Sequence, residues 1–188
     1  MEPDVDLPAV GLRPMTRADF PDLLRWRTAP HVARWFPSTE AATLALIEAR
    51  YGPRVDGRGA TRMFVVEAHG RSVGFLQDYR ISDHPEFAVL TPDPDAIGVD
   101  YAIGEVAWLG RGVGLRMLQR WYAVAHAGYP DATTYFAAPD HRNTASRRLL
   151  VKAGFVEGTW FDEPQRDGTV ATLVGHTLAA ASVLGLRP

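Results

Sequence analysis

Apolar and polar positions follow two different periods along the chain, and these periods predict its elements. Alternating apolar residues, or short apolar runs, predict strands ending near Pro14 and spanning residues 63–69, 73–79, 97–103, 133–137, 156–161 and 170–178. Apolar residues three and four positions apart predict helices over residues 16–28, 41–50, 113–127 and 143–153, with a short element around 31–36. Strands separated by helices predict an α/β (α+β) fold with a mixed sheet.

Capping residues mark where several of these helices begin and end. The segment from Thr16 to Asp19 forms a capping-box-like start, and Ser38 or Thr39 is expected to cap the helix over 41–50. Asn143 is a good N-cap for the last long helix, which ends before Gly154. Residues 82–96 are rich in proline and aspartate and predict a long loop, a kind of segment that often carries function.

Three glycines at every second position stand directly before the helix over 113–127, where residues 109–114 read Leu-Gly-Arg-Gly-Val-Gly. A loop of this kind can turn its backbone N–H groups toward a ligand. The helix behind it adds unpaired N–H donors and a partial positive charge. The sequence therefore predicts an anion site, best suited to a phosphate or pyrophosphate.

Composition narrows the class of protein. A chain of 188 residues with 46% hydrophobic residues predicts one globular domain, 1–188, with its core between about 12 and 178. A net charge of −2 offers no bulk attraction to nucleic acid or anionic membrane. The absence of cysteine excludes disulfides, thiolate metal sites and a cysteine nucleophile, and the histidines show no metal-ligand spacing. With no signal peptide or long apolar run, a cytoplasmic location is expected.

The order of parts resembles the GCN5-related N-acetyltransferases (GNAT) from about Leu12 to Leu178. The resemblance rests on the strand before the G-x-G-x-G loop, on Asn143-x-x-Ser146, and on the helix ending Lys-Ala-Gly-Phe at 152–155. Within that superfamily, residues 98–103, the loop and the segment NTASRRLLVKAGF look most like aminoglycoside 6'-N-acetyltransferases. The resemblance implies a mostly antiparallel twisted sheet of six to seven strands, flanked by about four helices and splayed between strands 4 and 5.

The resemblance also supplies the ligand of the loop, which would be acetyl-CoA as co-substrate, without a metal. Its pantetheine arm would pass Ile103 and Asn143, and a strand N–H near Ile103 would stabilise the oxyanion of acyl transfer. Asp100 matches the aspartate that the aminoglycoside subgroup places beside the accepting amine. The backbone donors for the pyrophosphate would come from Leu109, Gly110, Arg111, Gly112, Val113 and Gly114.

A polycationic small-molecule amine is the expected partner, and it would attack acetyl-CoA directly in a ternary complex with the enzyme. The enzyme itself is expected to be a monomer or a homodimer. Such an acceptor calls for an acidic site, and carboxylates are available in and near the long loop. Aromatic rings could supply flat faces for a sugar. The expected substrate residues are Trp35, Phe36, Gln77, Asp78, Tyr79, Asp93 and Asp95, with Asp100 and Glu105 adding to the acidic field.

Two departures from the aminoglycoside pattern leave parts of the mechanism open. Many relatives have a tyrosine, the acid that protonates the CoA thiolate, where this chain has Leu150. The aminoglycoside enzymes also often have an aspartate where this chain has Ala138, although Asp140 lies close by. The thiolate could leave unprotonated, or another group could serve. Acetylation of a siderophore-type lysine, suggested by residues 139–143, or of a protein N-terminus, remains an alternative, as does a non-catalytic CoA-binding module.

Overall fold

Seven strands form one sheet in the computed structural model, which describes residues 8–36, 40–84, 93–165 and 168–185. The strand order in the sheet is β1-β2-β3-β4-β5-β7-β6. All neighbours are antiparallel except β4 and β5, which run parallel. The expected mixed, mostly antiparallel sheet is confirmed. The strands are β1 Val10–Pro14, β2 Thr61–Ala68, β3 Arg71–Arg80, β4 Ile97–Ile103, β5 Thr134–Ala137, β6 Val156–Pro164 and β7 Val170–Ala179.

Six α-helices connect or flank these strands within the described residues, and none is long and apolar enough to span a membrane. A short 3-10 turn opens on the Thr16 capping box and leads into α1, as predicted. The third helix begins later than expected, because the Thr43 hydroxyl accepts the Leu46 N–H, while Ser38 and Thr39 lie outside the described residues. The helices are α1 Phe20–Thr28, α2 Pro30–Ala33, α3 Leu44–Val55, α4 Val113–Gly128, α5 Thr144–Lys152 and α6 Ala180–Leu184.

The helices cover the sheet on both faces, so the central strands are buried on both sides. On one face, Leu76 and Val99 pack with Trp121 of α4 and Leu150 of α5. The other face carries the second core, formed by Phe75 and Ala102 with residues of α1 and α3 such as Leu23, Trp26 and Tyr51. Since side chains alternate between faces along a strand, neighbouring residues of β3 and β4 serve different cores.

The sheet opens between β4 and β5. Their register contains only two pairs, Ile97 with Tyr135 and Gly98 with Phe136. β4 then continues to Ile103, still paired with β3 on its other side. The expected splay between strands 4 and 5 is confirmed, and it leaves one edge of β4 accessible beyond Gly98.

Candidate active site

The open edge of β4 presents backbone groups toward the gap in the sheet. Gly104 N–H donates to the Val73 carbonyl on the β3 side, at 2.8 Å. Because backbone groups of successive strand residues point to opposite sides, the N–H and C=O of Ile103 point toward the opening. The Ile103 carbonyl lies 3.0 Å from Nε2 of His31, which reaches the gap from α2. Ile103 and His31 are thus neighbours at the opening of the sheet.

The glycine loop lies at the same end of β4. Gly110 and Gly112 adopt φ of 71° and 78°, in the left-handed region that favours glycine, and Gly112 is the N-cap of α4. The Leu109 N–H is already used, because it donates to the Val106 carbonyl at 3.1 Å. The loop donors that remain for an anion are therefore those of residues 110–114, backed by the helix N-terminus.

Close packing holds this loop against α5. A Cβ atom on Gly114 would lie 2.8 Å from Cδ2 of Leu149, so the absence of a side chain lets α4 and α5 approach here. Asn143 caps α5 by accepting the Ser146 N–H at 3.2 Å. The Ser146 hydroxyl is 2.9 Å from the hydroxyl of Tyr101, which projects from β4. The two helix N-termini and the open edge of β4 thus border one region.

Asp100 is held on the opposite face of β4, under α1 and α3. It faces Gln77 directly across the β3–β4 register, and Gln77 Nε2 donates to Asp100 Oδ2 at 2.7 Å. The Tyr79 hydroxyl also bonds to this carboxylate. A Cβ atom on Gly98 would come within 2.8 Å of the Tyr79 ring, so glycine at 98 leaves the space that this ring occupies. Three of the predicted site residues, Asp100, Gln77 and Tyr79, are therefore brought together.

Burial raises the pKa of the Asp100 carboxyl above its ordinary value. The hydrogen bonds from Gln77 and Tyr79 and the charges of Arg54 and Arg27 oppose this effect without cancelling it. Asp100 is consequently a stronger base than an exposed aspartate, which is the direction that proton transfer from an amine needs.

Two arginines that the sequence did not single out stand beside this carboxylate. Arg54 of α3 donates through Nη1 to Gln77 Oε1 at 2.7 Å, and its guanidinium lies 5.1 Å from the Tyr51 ring centre. Arg27 of α1 lies 4.7 Å from the ring centre of Phe36. Both arginines are half-buried, and burial lowers the pKa of each guanidinium. The surroundings of Asp100 are thus largely basic, contrary to the acidic field predicted from the sequence.

Asp78 is the clearest correction to the predicted site. Its side chain is fully buried on the α4 face, where Arg62 pairs with it at 2.6 Å and Trp121 Nε1 donates to it at 2.8 Å. Since Gln77 and Tyr79 point to the other face, strand alternation alone removes Asp78 from their group. It neutralises Arg62 in the core.

The remaining predicted carboxylates have partners of their own. Glu105 accepts hydrogen bonds from Arg25 and, at 2.8 Å, from Trp26 Nε1. Asp93 accepts the Asp95 N–H at 3.1 Å, and Asp95 accepts a bond from Ser82. Asp93 and Asp95 precede β4, at the end remote from the glycine loop, and residues 85–92 of the same loop lie outside the described residues. The structure does not bring these carboxylates to Asp100.

The two aromatic residues expected near the acceptor take different positions. Phe36 packs on Phe75 of β3, with ring centres 6.0 Å apart, and so lies over the face that carries Asp100. Trp35 follows α2, and the Arg34 guanidinium lies over it, 5.1 Å from the centre of the Trp35 ring. Among the described residues, no cluster of three or more histidines or acidic side chains has the geometry of a metal site.

The strand order, the opening of the sheet and the glycine loop before α4 are together typical of an acetyltransferase of the GNAT type. A family model described as "Acetyltransferase (GNAT) domain" matches residues 15–163. The chain belongs to this family and is an acetyl-CoA-dependent N-acetyltransferase. Lysine N-acyltransferase MbtK of Mycobacterium tuberculosis is 31% identical over 153 residues, covering 78% of this chain and 69% of the relative. MbtK of a Mycobacterium species (strain MCS) is 27% identical over 143 residues, covering 73% and 55%.

Solved structures share the fold. Aminoglycoside acetyltransferase AAC(6')-Ib in complex with coenzyme A superposes with a TM-score of 0.76 at 24% identity, covering 94% of this chain and 99% of that one. The same enzyme with ribostamycin and coenzyme A gives 0.76 at 25% identity, covering 93% and 96%. Spermidine N-acetyltransferase of Vibrio cholerae with CoA and spermine gives 0.74 at 16% identity, covering 93% and 98%.

Proposed function

We propose that this chain transfers an acetyl group from acetyl-CoA to a primary amine that lies against Asp100, by direct attack in a ternary complex. The observation that carries the proposal is the carboxylate held by Gln77 and Tyr79 on the strand that borders the opening of the sheet. An amine must lose its charge before it attacks, and a half-buried carboxylate of raised pKa both attracts the ammonium and receives its proton, directly or through water.

The donor side follows from the backbone. The N–H groups of residues 110–114 and the N-terminus of α4 bind the pyrophosphate of acetyl-CoA, and Asn143 together with the open edge of β4 guides the pantetheine arm. An N–H of β4 near Ile103 stabilises the oxyanion as the amine attacks the thioester carbonyl. The C–S bond then breaks, an amide forms, and the CoA sulfur leaves.

The CoA sulfur needs a proton, or at least a hydrogen bond, as it leaves. Leu150, which stands where many relatives have a tyrosine, cannot donate either. The hydroxyls of Tyr101 and Ser146, 2.9 Å apart at the N-terminus of α5, are the groups we assign to this step. Burial raises the pKa of Tyr101, so its hydroxyl stays protonated at neutral pH. A thiol pKa of about 8.5 makes this assistance helpful rather than essential.

Two classes of acceptor are proposed. An aminoglycoside, acetylated at its 6'-amine with resistance as the consequence, is supported by the trio of Asp100, Gln77 and Tyr79 and by similarity to AAC(6')-Ib, solved with ribostamycin. A lysine-type amine is supported by the 31% identity to a lysine N-acyltransferase. The basic residues Arg27 and Arg54 favour this second class, because a polycation gains nothing from neighbouring guanidiniums.

Thiol release from acetyl-CoA, measured with kanamycin, tobramycin, lysine-type amines and peptides, tests the proposal. We expect Asp100→Asn to lower turnover by at least about tenfold, because the amine loses its proton acceptor while CoA affinity changes little. Asp83→Asn serves as the matched control, since Asp83 is exposed in the turn after β3. Unchanged turnover in Asp100→Asn removes Asp100 from the mechanism, and CoA binding without release for any amine leaves only a CoA-binding module.

A further inference from the structure

Two half-buried guanidiniums share Asp100 as their one nearby carboxylate, and neither forms a direct ion pair within the described residues. Arg27 comes from α1 and Arg54 from α3, and the second core, which carries both helices, lies on the Asp100 face of β4. Within the part of the chain that the structure describes, no carboxylate lies at ion-pair distance from either arginine. Other arginines do have such partners, as in the ion pairs Arg13–Asp19, Arg62–Asp78, Arg80–Asp131 and Arg147–Glu157.

Two partly buried guanidiniums beside one carboxylate leave one positive charge uncompensated, which costs free energy, so the arrangement calls for a second compensating group. Aromatic rings supply part of this compensation, since the Arg54 guanidinium lies over Tyr51 and the Arg27 guanidinium lies over Phe36. Arg54 Nη1 donates to Gln77, and within the described residues no other hydrogen bond uses the N–H groups of these two guanidiniums. Guanidinium N–H groups bind carboxylates through paired, charge-assisted hydrogen bonds.

Gln77 fixes the position of this positive charge relative to the carboxylate. Its Oε1 accepts from Arg54 at 2.7 Å and its Nε2 donates to Asp100 at 2.7 Å, so one amide group separates the two. A negative group for an ammonium and a positive group for an anion therefore lie side by side on one face of the sheet. This is the complement of a molecule that carries both an amine and a carboxylate.

We propose that Arg27 and Arg54 bind a carboxylate of the acyl acceptor, so that the enzyme prefers amines that also carry a carboxylate. The inference rests on the proposed function, because it takes Asp100 as the site of the accepting amine. It narrows the acceptor from primary amines in general to zwitterionic ones, and it predicts that purely cationic polyamines bind weakly. A carboxylate on the acyl group of the donor has the same chemistry and is distinguished below.

The test compares amines that differ by one carboxylate, namely L-lysine with cadaverine and L-ornithine with putrescine, alongside kanamycin and tobramycin. We expect kcat/KM to be at least about tenfold higher for the amino acid of each pair, since a charge-assisted hydrogen bond contributes about 1.5–3 kcal/mol. Equal efficiency within the pairs, or turnover of the aminoglycosides alone, contradicts the inference. Absence of thiol release with every amine contradicts the proposed function itself.

Variants locate the effect. Both arginines also act on Asp100, so Arg27→Gln and Arg54→Gln can change turnover of either amine. Each should lower kcat/KM for the amino acid about tenfold more than for the diamine, so that the preference within a pair disappears. Arg58→Gln, an exposed neighbour of α3 paired with Asp56, removes the same charge and should preserve the preference. Equal loss for both amines would show a merely structural role and overturn the assignment.

The same variants, assayed with succinyl-CoA and acetyl-CoA on cadaverine, identify the source of the carboxylate. A preference for succinyl-CoA that depends on Arg27 and Arg54 would place the carboxylate on the donor and overturn the assignment to the acceptor. Higher kcat/KM with acetyl-CoA than with succinyl-CoA, in the unmodified protein and in both variants, supports the assignment to the acceptor. The pairwise comparison on the unmodified protein needs no variant to fold, so the inference remains testable in either case.

Discussion

At the scale of single residues, the hydroxyl of Tyr101 contacts the helix turn that precedes position 150. Helical side chains lean toward the helix N-terminus, so a long residue at 150 covers the turn that contains Ser146. The Tyr101 hydroxyl meets that turn from β4, 2.9 Å from Ser146. The apolar Leu150 is buried in the core and leaves this position to Tyr101.

Tyr101→Phe should therefore slow acetylation by about tenfold at pH 7 and by less above pH 9. The reason is that a CoA sulfur with a pKa of about 8.5 needs little assistance in leaving once the solution pH exceeds that value. The measurement is kcat from pH 6 to 10 for both proteins with one amine acceptor. Ser146→Ala, which keeps the Tyr101 hydroxyl, should show a smaller loss. A constant ratio at every pH would argue for a packing role instead.

Asp100 was singled out because residues 98–103 resemble the aminoglycoside subgroup, and its catalytic role stays a prediction. The prediction that Asp78 contacts the substrate was wrong for a reason already visible in the sequence. Three consecutive strand residues, 77 to 79, cannot all face one cleft. The position of Arg27 and Arg54 beside Asp100 could not be predicted, because it depends on how α1 and α3 pack on the sheet. Local sequence patterns do not indicate how distant helices pack together.

At the scale of elements, the start of α1 depends on one buried carboxylate. Asp19 accepts the Thr16 N–H at 2.8 Å and two hydrogen bonds from Arg13, the shorter at 2.7 Å. The Arg13 guanidinium, followed by the bonds from Thr16, lowers the pKa of Asp19 despite its burial. A depressed carboxyl pKa stabilises the folded state above the unfolded value of about 4, and this contribution is lost as the pH falls through the folded value.

Asp19→Asn should accordingly reduce the free energy of unfolding at pH 7 by about 1–3 kcal/mol, through a lost cap and a lost charged partner for Arg13. Urea unfolding of both proteins at pH 7 and at successively lower pH measures it, and the difference should shrink below pH 4. Asp22→Asn removes an exposed helix pair with Arg25 and should cost well under 1 kcal/mol. A difference independent of pH would exclude the ion pair as its cause.

Strands were predicted more reliably than helix boundaries. β4 was predicted over the residues that the structure assigns to it, because it is an apolar run bounded by turn residues. The start of α3 was misplaced, since several Ser and Thr residues precede it and only the fold selects Thr43. The short α6 was missed because it follows β7 without a break and continues its apolar composition.

At the scale of the whole molecule, the order of elements predicted a mixed sheet, and the family that this order resembles implied its opening. The charge of the acceptor region could not be predicted in either way. CoA would contact the glycine loop, α5 and the open edge of β4, and so join parts of both halves of the sheet. Ligand that binds only the folded protein stabilises it by about 2.7 kcal/mol at a concentration 100-fold above its Kd. For a chain of this length that corresponds to a rise in Tm of roughly 5–10 °C.

This linkage gives a test of the loop that is independent of turnover. Gly112→Ala introduces a Cβ atom at φ 78°, at the N-cap of α4, and should tilt the N–H donors that hold the pyrophosphate. Gly57→Ala is matched to it, because Gly57 has φ 71° in open space after α3. Both variants should lose stability without ligand, but only Gly112→Ala should lose most of the CoA-induced rise in Tm, while Asp100→Asn keeps it. An equal CoA-induced rise in both glycine variants would mean that the loop does not bind the cofactor.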